Sequence, residues 1–360
     1  MKLIYLSNFN EMSGFSEAAR GYLSCLKDDV EVFNLVIENN NQHAIENTIN
    51  SVPKEEYGVI WHANPLAMMN VINGRFDSIN GKLARDILVN SSKNVNITAW
   101  ETSEINPHFL EVYDKFKTKA VLVPSEYNKS CFSKHIRTEC IQHVVGTGPS
   151  LPYLSNMLSD KKFFLSISQW NYRKNLKDPI YCFYKEFFHE EVYLVIKSYV
   201  SHHNPGSTEI ASSISKVRSL FDSNNNLAKC KVVLLTDYIK SEEKNYLLKN
   251  CVSYVGTSLS EGFGLSYAEA AAFNKPVVAS NSTGQIDFLN SEFLFDTYED
   301  YYQGPLGYGY TDKMTVHYPI KKSVCEKMRK AYENSDPINH NLHSREKIKN
   351  QFLDFFKEIF

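Results

Sequence analysis

Two glutamates eight positions apart, Glu261 and Glu269, bracket the run Gly262-Phe263-Gly264-Leu265 and the start of an alanine-rich helical pattern, Ser266-Tyr267-Ala268-Glu269-Ala270-Ala271-Ala272. A β-rich run (Val252, Tyr254, Val255) precedes them, and Asn274 before Pro276 ends the helix, so the stretch reads as strand, loop, helix, strand: an α/β crossover. Loop glycines let the backbone approach a ligand, and the first N–H groups of a helix, with the dipole behind them, favour an anion. A carboxylate accepts two hydroxyls at once, so the arrangement suits a ligand that carries both phosphate and polyol. The plainer reading is that Ser266 and Glu269 form a Ser-x-x-Glu capping box and that Glu261 is a solvated loop residue.

Glu-x7-Glu, with Gly-Phe-Gly-Leu after the first glutamate, Ala after the second and Lys275-Pro276-Val277-Val278 as the exit, resembles the donor signature of retaining glycosyltransferases with the GT-B fold, family 4 in particular. The resemblance implies that Glu261 and the amides of Gly262, Phe263, Gly264 and Leu265 hold a donor sugar. It implies that Glu269 holds the nucleotide ribose.

A basic loop lies upstream. Phe163–Ile167 reads as a strand, followed by Gln169-Trp170-Asn171-Tyr172-Arg173-Lys174-Asn175 and a helical pattern. Cations at a strand's end can reach a diphosphate; the bland alternative is two solvated loop charges. The resembled family places an arginine upstream of the loop lysine, and here Gln169 occupies that position. Arg173 beside Lys174 is therefore expected to supply the second charge. Lys197, closing the apolar strand Val192–Ile196, is a further donor-binding candidate, with a charge reaching water as its plain reading.

In the first half, Lys2–Leu6 is a strand that runs through Asn8–Gly14 into a helix with Ala19, Tyr22, Leu23 and Leu26 at helical spacing. The loop lacks GxGxxG, which argues against a dinucleotide-binding oxidoreductase. Gly14 resembles the first-domain glycine of GT-B transferases that approaches the donor phosphate, although an ordinary strand-helix corner needs no ligand. His62 follows Gly58–Trp61 at the carboxyl end of a strand, where open α/β sheets bind ligands; a satisfied structural histidine is the alternative. Asn94–Ala99 delivers Trp100 and Glu101 to a similar edge. Trp-Glu-Thr followed by Pro107 resembles a pattern in one branch of these transferases, which implies Glu101 beside the reaction centre, with His62 and Trp100 as acceptor-side candidates.

These residues need two sheets to carry them, and 360 residues suffice for two domains. Val144–Pro152, a strand with a Gly/Pro-rich exit, is the linker candidate. The expected organisation is an N-terminal domain at 1–148, a donor domain at 149–340 and a C-terminal helix at 341–360 whose apolar stripe (Ile348, Phe352, Phe355, Phe356, Ile359) returns to the first domain. The resemblance implies an α/β GT-B architecture, two Rossmann-like domains facing across a cleft. Asp296–Tyr318, rich in Tyr and Gly, reads either as an acceptor surface of stacking rings or as a packed irregular loop.

A content of 43% hydrophobic and 22% charged residues with a net charge of −2 describes a globular chain without general attraction to nucleic acid. Seven cysteines, none spaced as CxxC, suggest neither a disulfide framework nor a zinc site, and no apolar run is long enough to span a bilayer. A cytoplasmic protein is expected, with peripheral membrane contact left open. The leading reading is a retaining glycosyltransferase that takes a nucleotide-diphosphate sugar. No Asp-x-Asp motif occurs, so no metal and no cofactor are expected, and the acceptor is open among glycan, lipid, protein and modified nucleobase. A GT-B epimerase or phosphorylase, or a non-catalytic nucleotide-sugar-binding homologue, is the alternative.

Overall fold

In the computed structural model the described residues are 2–9, 13–36, 57–72, 79–198, 206–223, 227–307, 309–334 and 336–360. The chain folds into two units. One comprises Met1–Val144, Leu306–Met314 and His343–Phe360; the other comprises Val145–Pro305 and Thr315–Leu342.

The first unit runs β1 (Lys2–Ser7), α1 (Gly14–Leu26), β2 (Glu31–Val36), β3 (Gly58–His62), α2 (Pro65–Ile72), α3 (Ile79–Asn90), β4 (Asn94–Ile97), α4 (His108–Lys115), β5 (Thr118–Val123), α5 (Glu126–Phe132) and β6 (Thr138–Cys140). Its strands form one parallel sheet in the order β2-β1-β3-β4-β5-β6. Parallel strands are covered on both faces, so they read as unbroken apolar runs, and alternate residues feed two cores. Leu3, Tyr5, Ile60 and Leu122 pack on one side, and Ile4, Leu6, Trp61 and Val121 on the other. Val144-Val145, expected as a strand, is irregular; the sheet already ends at β6.

The second unit runs α6 (Ser155–Leu158), β7 (Phe163–Ile167), α7 (Lys177–Phe187), β8 (Tyr193–Lys197), α8 (Ser207–Ser219), β9 (Lys231–Leu235), α9 (Ser241–Asn250), β10 (Ser253–Val255), α10 (Leu265–Ala272), β11 (Val277–Ser280), β12 (Leu294–Phe295), β13 (Thr297–Tyr301), β14 (Thr315–Pro319) and α11 (Lys321–Glu333). The main sheet has the order β12-β11-β10-β7-β8-β9, which is the dinucleotide-fold order 3-2-1-4-5-6 counted from β7. The strand order reverses between β7 and β10. In sheets of this order, ligands bind beyond the carboxyl ends of the two strands at such a switch point.

Two late segments return to the first unit. α12 (Arg345–Ile359), capped by the Ser344 hydroxyl accepting the Lys347 N–H, buries Ile348, Phe352, Phe355 and Phe356 in the core that holds Leu3 and Tyr5. Each such ring or branched side chain contributes roughly 1.5–3 kcal/mol by leaving water. The Tyr/Gly-rich stretch divides: β13 and β14 pair antiparallel in the second unit, whereas Leu306–Met314 belongs to the first. There Tyr310 lies over Trp100, and the Asn106 side-chain amide donates to the Gly309 carbonyl at 2.9 Å. Its neighbour Tyr308 lies outside the described residues.

Candidate functional site

The loops after β7 and β10 are sewn together by the backbone. The Leu259 N–H donates to the Arg173 carbonyl at 2.8 Å and the Thr257 hydroxyl to the Asn175 carbonyl at 2.8 Å. This alignment carries two cations to one carboxylate. Arg173 Nη1 donates to the Ser260 carbonyl at 2.6 Å and lies 3.3 Å from Glu261 Oε2, and Lys174 Nζ pairs with Glu261 Oε1. Burial pushes the Glu261 carboxyl up, but Lys174 and Arg173, helped by a hydrogen bond from the Ser258 hydroxyl, outweigh it and hold the pKa down at about 2. Two cations against one carboxylate leave the loop pair with a net positive charge.

The glycine loop then turns into α10 without a side-chain cap. Gly264 is the N-cap at φ +87°, and a Cβ there would lie 2.6 Å from Tyr267 Cδ2, so backbone conformation and space both require glycine. The capping box of the plainer reading, Ser266 with Glu269, does not form, because the helix begins at Leu265 and places Ser266 at its second position. Glu269 is the fifth residue of α10, past the first turn, and pairs with Lys244 of α9 at 2.6 Å. Gly262 and Phe263 are buried, and the Phe263 ring lies tilted against Phe288 with centroids 4.7 Å apart, which anchors the loop.

Behind the loop stands a turn to which sequence reasoning gave no role. The Glu261 N–H donates to Thr283 Oγ1 at 3.2 Å, and the Gly284 N–H donates to the Glu261 carbonyl at 2.9 Å. A Cβ on Gly284 would fall 2.2 Å from the Gly262 carbonyl oxygen, so the approach is as close as backbones allow. The available signal was the Ser-Thr-Gly run immediately after β11.

The remaining candidates sort differently. Lys197 is buried at the end of β8, with Nζ donating to the Ser198 carbonyl at 3.2 Å; burial lowers its pKa while Asp237 acts to raise it. It does not reach an exposed edge, contrary to expectation: its side chain is buried among the described residues. Trp100 is also corrected: its indole is 1% exposed and donates to the Glu104 carbonyl at 2.7 Å, so it is core and offers no face to an acceptor. Glu101 beside it accepts a hydrogen bond from the Tyr310 hydroxyl at 3.1 Å.

His62 sits at the end of β3 next to β1, the switch point of the first sheet, with Nδ1 2.9 Å from the Tyr5 hydroxyl and its ring against Phe15 and Tyr22. Burial, and then neighbouring His143, push its pKa well below the ordinary value. His143, paired with the Tyr22 hydroxyl at 2.8 Å, is lowered by burial to about 3. Gly14 opens α1 behind the Ser13 cap, and no described atom comes within 4 Å of a Cβ placed there. Arg173, Lys174 and Glu261 thus converge within the second unit, while Gly14, His62, Trp100 and Glu101 belong to the first.

Residues 155–300, which include both loops, the glycine turn and Thr283, match the family model of the glycosyl transferases group 1. The chain resembles that family through this region, which is less than half of its length. Its curated relatives include the alpha-1,3/1,6-mannosyltransferase ALG2 of Dictyostelium discoideum, 29% identical over 140 residues that cover 36% of this chain and 32% of that protein. ALG2 of Candida glabrata is 25% identical over 220 residues, covering 51% and 46%. The matches therefore span about a third to a half of the length of these relatives.

Among solved structures, trehalose-6-phosphate synthase OtsA is similar over 100% of both chains at a TM-score of 0.61 and 12% identity. A UDP-forming α,α-trehalose-phosphate synthase from Burkholderia xenovorans, in complex with glucose-6-phosphate, reaches 0.64 at 10% identity, again over 100% of both chains. Anabaena Alr3699/HepE in complex with UDP and glucose covers 99% of this chain and 100% of its own, at 0.58 and 12% identity. These likenesses give the chain the two-domain GT-B fold. Among its described residues, no helix is long and apolar enough to cross a membrane.

Proposed function

We propose that this chain is a retaining, metal-independent glycosyltransferase that moves a sugar from a nucleotide-diphosphate sugar to an acceptor hydroxyl. The observation that carries the reading is the Arg173–Glu261–Lys174 cluster at the β7/β10 switch point, immediately before the N-terminus of α10. A diphosphate entering here meets two cations and the helix amides, and competes for the cations with Glu261. The released carboxylate then accepts hydroxyls of the donor sugar, while Glu269 takes the ribose.

In transfer, the bond from the anomeric carbon to the diphosphate oxygen breaks as the acceptor oxygen bonds to that carbon from the same face. The acceptor proton passes to the departing diphosphate. Arg173 and Lys174 stabilise the charge that grows there, the task a metal ion performs in other transferases. Glu101 and His62 are the acceptor-side candidates on the first unit. The relatives' name, a mannosyltransferase, favours a hexose donor. None of the seven cysteines, all among the described residues, forms a disulfide, which supports a reducing compartment such as the cytoplasm.

The test is a thermal-shift screen of nucleotide sugars, followed by product analysis with an excess of EDTA present. A donor that raises the melting temperature and is turned over under chelation, giving a product with the donor's anomeric configuration, supports the reading. Binding without turnover on any acceptor class would leave a binding protein, and an inverted product would overturn the mechanism.

A further inference from the structure

Behind the glycine loop, one residue holds a backbone conformation that its own side chain opposes. Thr283 stands at φ 61°, ψ −157°, a region that glycine enters readily and a β-branched residue resists. Of the described non-glycine residues with positive φ (Lys117, Leu154, Asp160, Asn175, Asn274 and Thr283) it alone is β-branched. It is buried between β11 and the 3-10 turn Gly284–Asp287, so no exposed loop relieves it.

The hydroxyl explains why glycine does not occupy the position. Thr283 Oγ1 receives the Glu261 N–H at 3.2 Å and donates to Gln285 Oε1 at 3.0 Å. Gln285 is itself fully buried and fixed by its Nε2, which donates to the Ser280 carbonyl at 3.1 Å and also to the Ser280 hydroxyl. With the Gly284 N–H on the Glu261 carbonyl, both main-chain polar groups of Glu261 end on consecutive residues of one rigid turn. Glycine at 283 would relax the backbone and keep the second bond; the first needs a hydroxyl.

We propose that Thr283 is a positioning residue for the donor: its hydroxyl, held in a strained backbone by Gln285 and Ser280, fixes the Glu261 main chain so that the carboxylate and the Gly262–Leu265 amides meet a nucleotide-diphosphate sugar as one preformed surface. The inference rests on the donor-site reading above. Its consequence is that stability and donor use move in opposite directions at this position.

Three variants test it. Thr283→Gly removes hydroxyl and strain together, Thr283→Val keeps the shape without the hydroxyl, and Thr283→Ser keeps the hydroxyl. Melting temperature, amide hydrogen exchange at Glu261 in the donor-free protein, and kcat and KM for the donor are read for each.

Thr283→Gly is expected to melt at or above the parent while its kcat/KM for the donor falls roughly tenfold, the scale of one lost buried hydrogen bond. Thr283→Val should exchange the Glu261 amide faster and show a similar loss, and Thr283→Ser should recover most of both. Unchanged exchange and donor kinetics in the Gly and Val variants would overturn the proposal. So would a Gly variant whose melting temperature falls in step with activity, the mark of a merely structural residue. A parent protein that binds no nucleotide sugar would instead sink the donor reading, whereas the Glu261 exchange measurement needs no donor and separates the two failures.

Discussion

Lys244 on α9 holds Glu269 on α10, Nζ to Oε1 at 2.6 Å, in a helix whose N-terminus has no side-chain cap. Glu269 therefore ties α10 to α9 rather than capping it, and in the donor-site reading proposed above a ribose would have to compete with Lys244 for its carboxylate. Glu269→Ala should lower the melting temperature modestly, since Lys244 and Glu269 are only 14% and 19% exposed and the lysine loses its carboxylate partner. Nucleotide affinity, measured by calorimetry, should weaken by about 1.5–3 kcal/mol, the scale for a hydrogen bond to a charged group. A variant that melts early and binds normally would return Glu269 to a structural role.

Arg173 and Lys174 together carry the leaving-group charge in the proposed mechanism. Replacing both with Ala should lower kcat by roughly a hundredfold or more, on the scale of a lost oxyanion donor, and raise KM by less. Activity of the parent should survive EDTA. Complete loss on chelation, restored by manganese, would assign the charge to a metal.

Glu261 links the site to acid stability. Its pKa is about 2 when folded, below the ordinary 4.5, so the folded state binds this proton less readily than the unfolded chain. The stabilisation is complete above pH 4.5, is lost as pH falls toward 2, and is on the order of 3 kcal/mol. Melting curves across this window should fall more steeply for the parent than for Glu261→Gln; parallel curves would count against the ion cluster.

A separate, earlier loss should come from the first unit. His143 is buried and neutral with a folded pKa of about 3, against an ordinary 6.5, so it too binds protons more readily when unfolded. Below pH 6.5 each pH unit costs about 1.4 kcal/mol until the folded value is reached. His62 is shifted in the same direction. His143→Phe should flatten the stability profile between pH 6 and 4.5, where Glu261 is silent, as checked by denaturant unfolding; an unchanged slope would refute the linkage.

The glycine loop was legible because its signal is contiguous: glycines, glutamates and helix fall within one crossover. The Lys174–Glu261 pair was not, since its partners stand 87 positions apart and meet only through the strand order that seats β7 beside β10. Strand ends misled for a related reason. Periodicity places Trp100 and Lys197 at an edge but says nothing of what covers that edge, and in the case of Trp100 the cover, Tyr310, comes from far along the chain. The capping-box pattern failed because Gly264, at φ +87°, starts the helix earlier than a Ser266 cap would. Thr283 escaped notice because backbone strain leaves no trace in residue type.

The first unit is assembled from three separate pieces of chain, and α12 closes the core around Leu3, Tyr5 and Ile60. Emerging from a ribosome, the N-terminal strands therefore have α1 but only part of their cover on this face until residues past His343 are made, while everything the second unit needs has appeared by Leu342. Synthesis order and folding order are reversed: the later-made sheet can complete first, and the earlier one waits with apolar surface open to chaperones. A fragment ending at Val144 would keep that exposed face permanently and aggregate, and supplying Arg345–Ile359 in trans would be the way to rescue it.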